Sequence, residues 1–272
     1  MFYQEAPGDK DDGWARGRQY PRVTCLINMQ ADPKRQNSGQ LYVNIWCDST
    51  GITPEDIEPL VRRSLQGVFL TPEGGRPHCM SWASSEGFEI KEQESNQRTQ
   101  VIGVTVTFDI FAFTRQLQTD PDPIIAINEY TRVVLPGCRI IAYDDLPAIY
   151  MPTAQAPAVY WSIDRTENER TSWAVAWMAS RLSGHIFAPE PEDRLELLQT
   201  FVQTAAADEE TVMADGSPMF FMRITADSGA DHLRTGQLAL GTRYGVLRTH
   251  VREGHKYELI NKYINERKND NG

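Results

Sequence analysis

The stretch GVTVTFDIFAF, residues 103–113, alternates apolar and polar positions: Val104, Val106, Phe108 and Ile110 against Thr105, Thr107 and Asp109. Successive side chains on a strand point to opposite faces, so this pattern predicts a strand with one packed face and one polar face. An antiparallel sheet covered on one side imposes that requirement, whereas buried parallel sheets read as continuous apolar runs. The expectation is an α+β fold in which a mostly antiparallel sheet carries helices on one face. Its other face and its edges are then the places for assembly.

Upstream, RVTCLINMQ (22–30) and QLYVNIWCD (40–48) read as two strands joined by the polar turn segment ADPKRQNSG. A helix is expected next: Thr53 suits the N-cap, Pro54 the first helical position, and Glu55 and Asp56 the electropositive first turn. Ile57, Leu60, Val61 and Leu65 recur at helical spacing as its apolar face. Pro59 removes an interior N–H at a cost of up to about 3 kcal/mol, so the helix should kink there or start late.

Unusual words recur downstream in the same order. PRVTCLI at Pro21 returns as PAVYWSI at Pro157, and Pro-Glu-Asp at 54–56 returns at 191–193. GGRPHCM and DGSPMFF share a Gly-x-Pro turn at Gly75 and Gly216, and the long strand beginning at Gly103 has a partner in GQLALGTRYGVL at Gly236. YVNIWCDS (42–49) aligns with WAVAWMAS (173–180), and AINEY (126–130) with LINKY (259–263). In the second copy the helix face is Leu195, Leu198, Phe201 and Val202. The ordered set predicts two tandem repeats, residues 1–136 and 137–272, each closed by the helix that carries its pentapeptide.

The composition limits the function. The 272 residues are 40% hydrophobic and 10% aromatic, enough for real cores, and their formal charge of −10 argues against general affinity for nucleic acid. A negative surface can still line a channel through which DNA slides. No apolar run approaches the ~20 residues needed to span a bilayer, and no signal segment is apparent, so no membrane role is expected. Cys25, Cys47, Cys79 and Cys138 form no CxxC pair and read as reduced core thiols.

A search for chemistry returns little. The five histidines make no HExxH and no zinc-like spacing, and there is no phosphate loop, dinucleotide fingerprint or Gly-x-Ser-x-Gly. His78 and Cys79 are adjacent on a strand and point apart. Asp120/Asp122, Asp144/Asp145 and Asp208/Glu209/Glu210 read as solvated surface carboxylates, and Trp173, Val175 and Trp177 as one strand face used in core or interface packing. No catalytic residue, cofactor or metal is therefore expected. The basic pairs Lys34/Arg35, at a hairpin tip, and Arg62/Arg63, on the solvent side of a helix, are the candidate subunit or DNA contacts.

The run from Gly39 to Glu92, GQLYVNIWCDSTGITPEDIEPLVRRSLQGVFLTPEGGRPHCMSWASSEGFEIKE, closed by VTVTFDIFAF, resembles the tail terminator and tail completion proteins of long-tailed bacteriophages. The second half, through CRIIAYDD, AVYWSI, WAVAWMAS and TGQLALGTRYGVL, is similar. The likeness rests on pattern and not on an invariant motif, and members of that family commonly carry one such domain. It implies a homo-oligomeric ring in the tail-neck region of a virion, assembled in the host cytoplasm. Such a ring caps the tail tube protein, meets the head-side connector and lets DNA pass without specific binding. A tandem chain could build a pseudo-sixfold ring as a trimer, or form a hexamer. The alternatives are another neck, baseplate or tube component, or a small-molecule enzyme or binding module with a site between the duplicated halves.

Overall fold

The computed structural model describes residues 2–3, 20–29, 37–48, 51–91, 100–114, 116 and 119–248. The described chain is α+β: two mostly antiparallel sheets and three helices, divided into two compact units. In chain order the elements are β1 (Phe2–Tyr3), β2 (Arg22–Met29), β3 (Asn37–Asp48), α1 (Pro54–Leu65), β4 (Phe69–Leu70), β5 (His78–Lys91) and β6 (Gln100–Ala112). There follow α2 (Pro123–Val134), β7 (Arg139–Ile140), β8 (Ile149–Tyr150), β9 (Ala158–Thr171), β10 (Val175–Phe187), α3 (Pro191–Asp208), β11 (Glu210–Val212), β12 (Pro218–Ala226) and β13 (Leu238–Leu247).

The first unit is Met1–Arg115 with Ile141–Pro152, and its sheet runs β1-β2-β3-β6-β5-β4-β8. The alternation of residues 104–110 is seen in β6: Val104, Val106, Phe108 and Ile110 are buried, while Thr105, Thr107 and Asp109 are half-buried. They pack with Leu41, Val43, Ile45 and Cys47 of β3, against which Ile57, Val61 and Leu65 of α1 are seated. Burial of that face holds the register, because a slip of one residue would turn every apolar side chain outward. The opposite face is laced by cross-strand polar pairs: Thr105 Oγ1 donates to Asn44 Oδ1 (2.7 Å), and Gln40 Nε2 to Asp109 Oδ1 (3.2 Å).

Helix α1 starts at Pro54, not late, and continues through Pro59 to Leu65. Its first turn explains why: the Asp56 carboxylate accepts from the Thr53 backbone N–H (3.0 Å) and hydroxyl (2.9 Å), a reciprocal cap that fixes the start. These hydrogen bonds hold the Asp56 carboxyl below the usual carboxylate range. Leu60, expected on the apolar face, is instead 59% exposed.

The second unit is Gln116–Ile140 with Thr153–Gly272, and its sheet runs β7-β9-β10-β13-β12-β11. Both helices lie on the face that carries Trp161. That side chain, fully buried, donates from Nε1 to Thr131 Oγ1 of α2 (3.0 Å) and packs against the Phe201 ring of α3 at 5.3 Å. Leu198, Phe201 and Ala205 are the buried side of α3, whereas Leu195 is exposed.

Read in this order, the two sheets match element for element: β1-β2-β3-β6-β5-β4 beside β7-β9-β10-β13-β12-β11. β1 pairs parallel with β2, as β7 does with β9, and every other pair is antiparallel. The word matches at Pro21/Pro157 and Pro54/Pro191 fall at equivalent places, just before the outer hairpin strand and at the helix start.

Two details of the expected repeat are corrected. Arg22 pairs with Trp46 while Ala158 pairs with Phe187, so the ladder position of Trp46 is held by Phe187, and aligning YVNIWCDS with WAVAWMAS slips by ten residues. The helix carrying AINEY does not close the first unit. It belongs to the second, where Tyr130 packs edge-on against Phe201 and Phe221 and donates to Asp208 Oδ2 (2.8 Å). LINKY lies outside the described residues.

Gly103 is required for β6 to approach β3: a Cβ there would sit 2.5 Å from the Ile45 carbonyl oxygen as well as inside the Phe88 ring. Gly103→Ala should therefore cost about 1–3 kcal/mol through forced backbone displacement. Urea denaturation of the variant beside the wild type measures it.

Candidate functional site

The basic pair on α1 separates into two different environments. Arg62 lies over the Trp82 ring of β5 at 3.9 Å and 3.7 Å from Glu58, whereas Arg63 is exposed. Trp82 is itself fixed: its backbone N–H donates to Gln66 Oε1 (2.6 Å), its Nε1 to Ser85 Oγ (3.0 Å), and Ser85 Oγ donates in turn to Glu58 (2.6 Å). Arg62 thus ties α1 to β5, and Arg63 alone of the pair is presented outward. Lys34 and Arg35 lie outside the described residues. Because a half-exposed cation–π contact contributes about 0.5–1 kcal/mol, Arg62→Ala should lower stability by that amount and Arg63→Ala by less than about 0.5 kcal/mol, read from paired denaturation curves.

The carboxylates also resolve into separate roles. Asp122, expected on the solvated surface, is buried as the N-cap of α2, accepting from the N–H groups of Ile124 (2.8 Å), Ile125 (3.1 Å) and Thr119 (2.7 Å). Asp208, Glu209 and Glu210 are exposed where α3 passes into β11. Trp173 is exposed and Trp177 half-buried, with the Arg243 guanidinium 4.9 Å over the Trp177 ring and 2.9 Å from Glu169. The tryptophan pair therefore edges a charged sheet surface and is not core.

On the sheet face turned away from Trp161, the buried His185 lies against loop 227–237. His185 Nδ1 is 2.9 Å from the His232 carbonyl oxygen; a carbonyl only accepts, so Nδ1 carries the hydrogen. Burial holds both His185 and His232 below the ordinary histidine range, and Arg194 adds to the effect on His232. Ser183, two residues from His185 on this face, donates to Asp164 Oδ2 (2.5 Å), so the hydroxyl is engaged by a carboxylate and not by the imidazole. A serine nucleophile needs its hydroxyl against the base, an arrangement these side chains do not make. Sequence reading missed this group because Asp164, Ser183, His185 and His232 come from three segments with no shared motif.

These histidines make stability depend on acid. Both take up a proton less readily in the fold than in the unfolded chain, so stability is present above about pH 6.5 and is lost as the pH falls below it, by up to about 1.4 kcal/mol per unit for each. Urea midpoints measured from pH 7.5 to 5 should fall, with a shallower fall in His185→Gln.

Of the four cysteines, all free, Cys47, Cys79 and Cys138 are buried and Cys25 is half-buried. Burial pushes the Cys79 and Cys138 thiols up to about 12. No group of three or more potential metal ligands occurs among the described residues. Among those residues no helix is long and apolar enough to cross a membrane.

A groove of about 550 Å³ lies between α3 and β12. Val202, Ala205 and Ala206 form one wall, and Phe220–Ile224 of β12 the other. β11 pairs with β12 only at Pro218–Phe220, so the outer edge of β12 beyond Phe221 opens into this groove. Glu209, Arg223 and Arg243 add charge to this mixed lining, and a groove of that kind beside a strand edge suits an extended peptide backbone.

No family model, curated protein or solved structure matches this chain.

Proposed function

We propose that the chain is a structural virion protein of a long phage tail, a terminator or completion protein that caps the tail tube as a ring and joins it to the head-side connector. The reading rests on the resemblance of residues 39–92 and 104–113 to that family. It is supported by one observation above all: two sheets of the same strand order in a single chain, the first with α1 on one face and the second with α2 and α3 on one face. We attribute that correspondence to tandem duplication of one domain. Two equivalent units per chain make three chains sufficient for a ring of six, and symmetric closed rings are the ordinary outcome of head-to-tail contacts whose rotation closes.

The sheet faces and edges fit this role. The first unit's outer face carries hydrogen-bonded polar pairs beside the Trp46–Phe88 ring contact and the exposed Leu26, and the second presents a charged surface around Arg165, Arg181, Arg243 and Glu167. The acidic net charge suits a lumen through which DNA passes without being held.

Light scattering on the purified protein, followed by negative-stain imaging, checks the proposal. Three chains per particle, in rings that bind the cognate tail-tube protein, are expected. Six chains per ring would overturn the pseudo-sixfold arrangement, and a monomer indifferent to tube protein would overturn the terminator role.

A further inference from the structure

The two sheets differ at one margin. In the first unit β4 is not the last strand: β8 pairs with it antiparallel, Phe69 with Tyr150 and Leu70 with Ile149, and the Thr71 N–H donates to the Ala148 carbonyl (2.9 Å). β8 comes from the connection between β7 and β9, although those two strands belong to the second unit's sheet. Among the described residues, the corresponding strand of the second unit, β11, ends the sheet.

The register shows which groups β11 leaves open. Phe69 faces Cys79 as Glu210 faces Phe220, so Thr71 corresponds to Val212. The Phe221 N–H donates to the Glu209 carbonyl and the Met213 N–H to the Ser217 carbonyl, so residues 209, 211 and 213 turn their backbone groups toward β12. Glu210 and Val212 turn theirs outward, and the Val212 side chain is 68% exposed. Those outward positions are the ones that bind β8 in the first unit.

We propose that the outer edge of β11, with the adjoining α3/β12 groove, takes up the segment between β1 and β2 of a second copy of this chain as an added antiparallel strand. The segment is the first unit's counterpart of the connection that supplies β8: residues 4–21 lie between β1 and β2, and residues 141–157, of nearly the same length, lie between β7 and β9. Only its C-terminal part is complementary in charge: residues 14–20 read WARGRQY, with Arg16 and Arg18 and no acid, whereas Glu5, Asp9, Asp11 and Asp12 precede them, and the β11 margin opens with Asp208, Glu209 and Glu210. Arg223 and Arg243 of the groove oppose part of that attraction, which places the basic residues at the β11 end. One such contact per junction runs head to tail, so the proposal rests on the ring reading and supplies its interface.

The test uses the full chain and a labelled synthetic peptide of residues 4–20. The proline in Val212→Pro removes the outward N–H and leaves the β11–β12 ladder intact. Wild-type protein should bind the peptide saturably, and excess peptide should lower the oligomer mass. Val212→Pro, with an unchanged circular dichroism spectrum, should bind it about tenfold or more weakly and dissociate the oligomer. If Val212→Pro fails to fold, Glu210→Lys, at an exposed side chain, should weaken peptide binding and make it less sensitive to salt. Wild-type rings that survive both variants and ignore the peptide overturn this interface while leaving the ring reading standing; a wild-type chain monomeric at every concentration overturns both.

Discussion

A strand at the margin of an open sheet leaves every second N–H and C=O without a protein partner, and those groups bind whatever extended backbone comes within reach. The two sheets of this chain dispose of that margin differently. β8 covers β4 in the first unit, whereas β11 ends the second sheet with Glu210 and Val212 turned outward. The rest of the fold fixes where these margins stand. In each unit a central antiparallel pair, β3–β6 or β10–β13, carries an outer hairpin strand on one side, and on the other the strand that the short margin strand joins.

The helices supply the rigidity that such an edge needs. Trp161 gathers α2 and α3 onto one sheet face, and Gly184 opposite leaves room for it: a Cβ there would lie 2.7 Å from the indole. Tyr130 extends the same cluster to Phe221 and to Asp208 at the end of α3. Burial, followed by the Asp208 carboxylate, pushes its phenol well above the ordinary tyrosine range, so the hydroxyl remains a donor. The turn from α3 into β11 is thereby anchored to the core two residues before the margin begins. A sheet edge held this way would lose little conformational entropy on pairing.

Much of this was legible in the sequence where a local rule decides the outcome. Strict alternation from Val104 to Ile110 reports a half-covered strand, and Thr53-Pro54 with Asp56 three residues on reports a capped helix start. What escaped depends on distant partners. Nothing in PIIAINEYTRVV says which sheet it covers, so α2 reads equally as the end of one unit or the beginning of the next. Leu60 and Leu195 satisfy helical spacing, yet the sheets beneath do not reach them. Strands of two or three residues such as β4, β8 and β11 are too short to show a period, and the sheet margins are made of them. The buried histidine group was invisible for the same reason, since its members meet only after three segments fold.

Hydrogen exchange at two backbone amides tests the account most directly, because it reads the margins themselves. The Thr71 amide, which donates to Ala148, should be protected at every protein concentration. The Val212 amide should exchange rapidly in dilute monomer and become protected as the protein assembles. A Val212 amide already protected in the monomer, or still unprotected in the assembled particle, would contradict the claim that the second sheet's margin is completed by another copy of the chain.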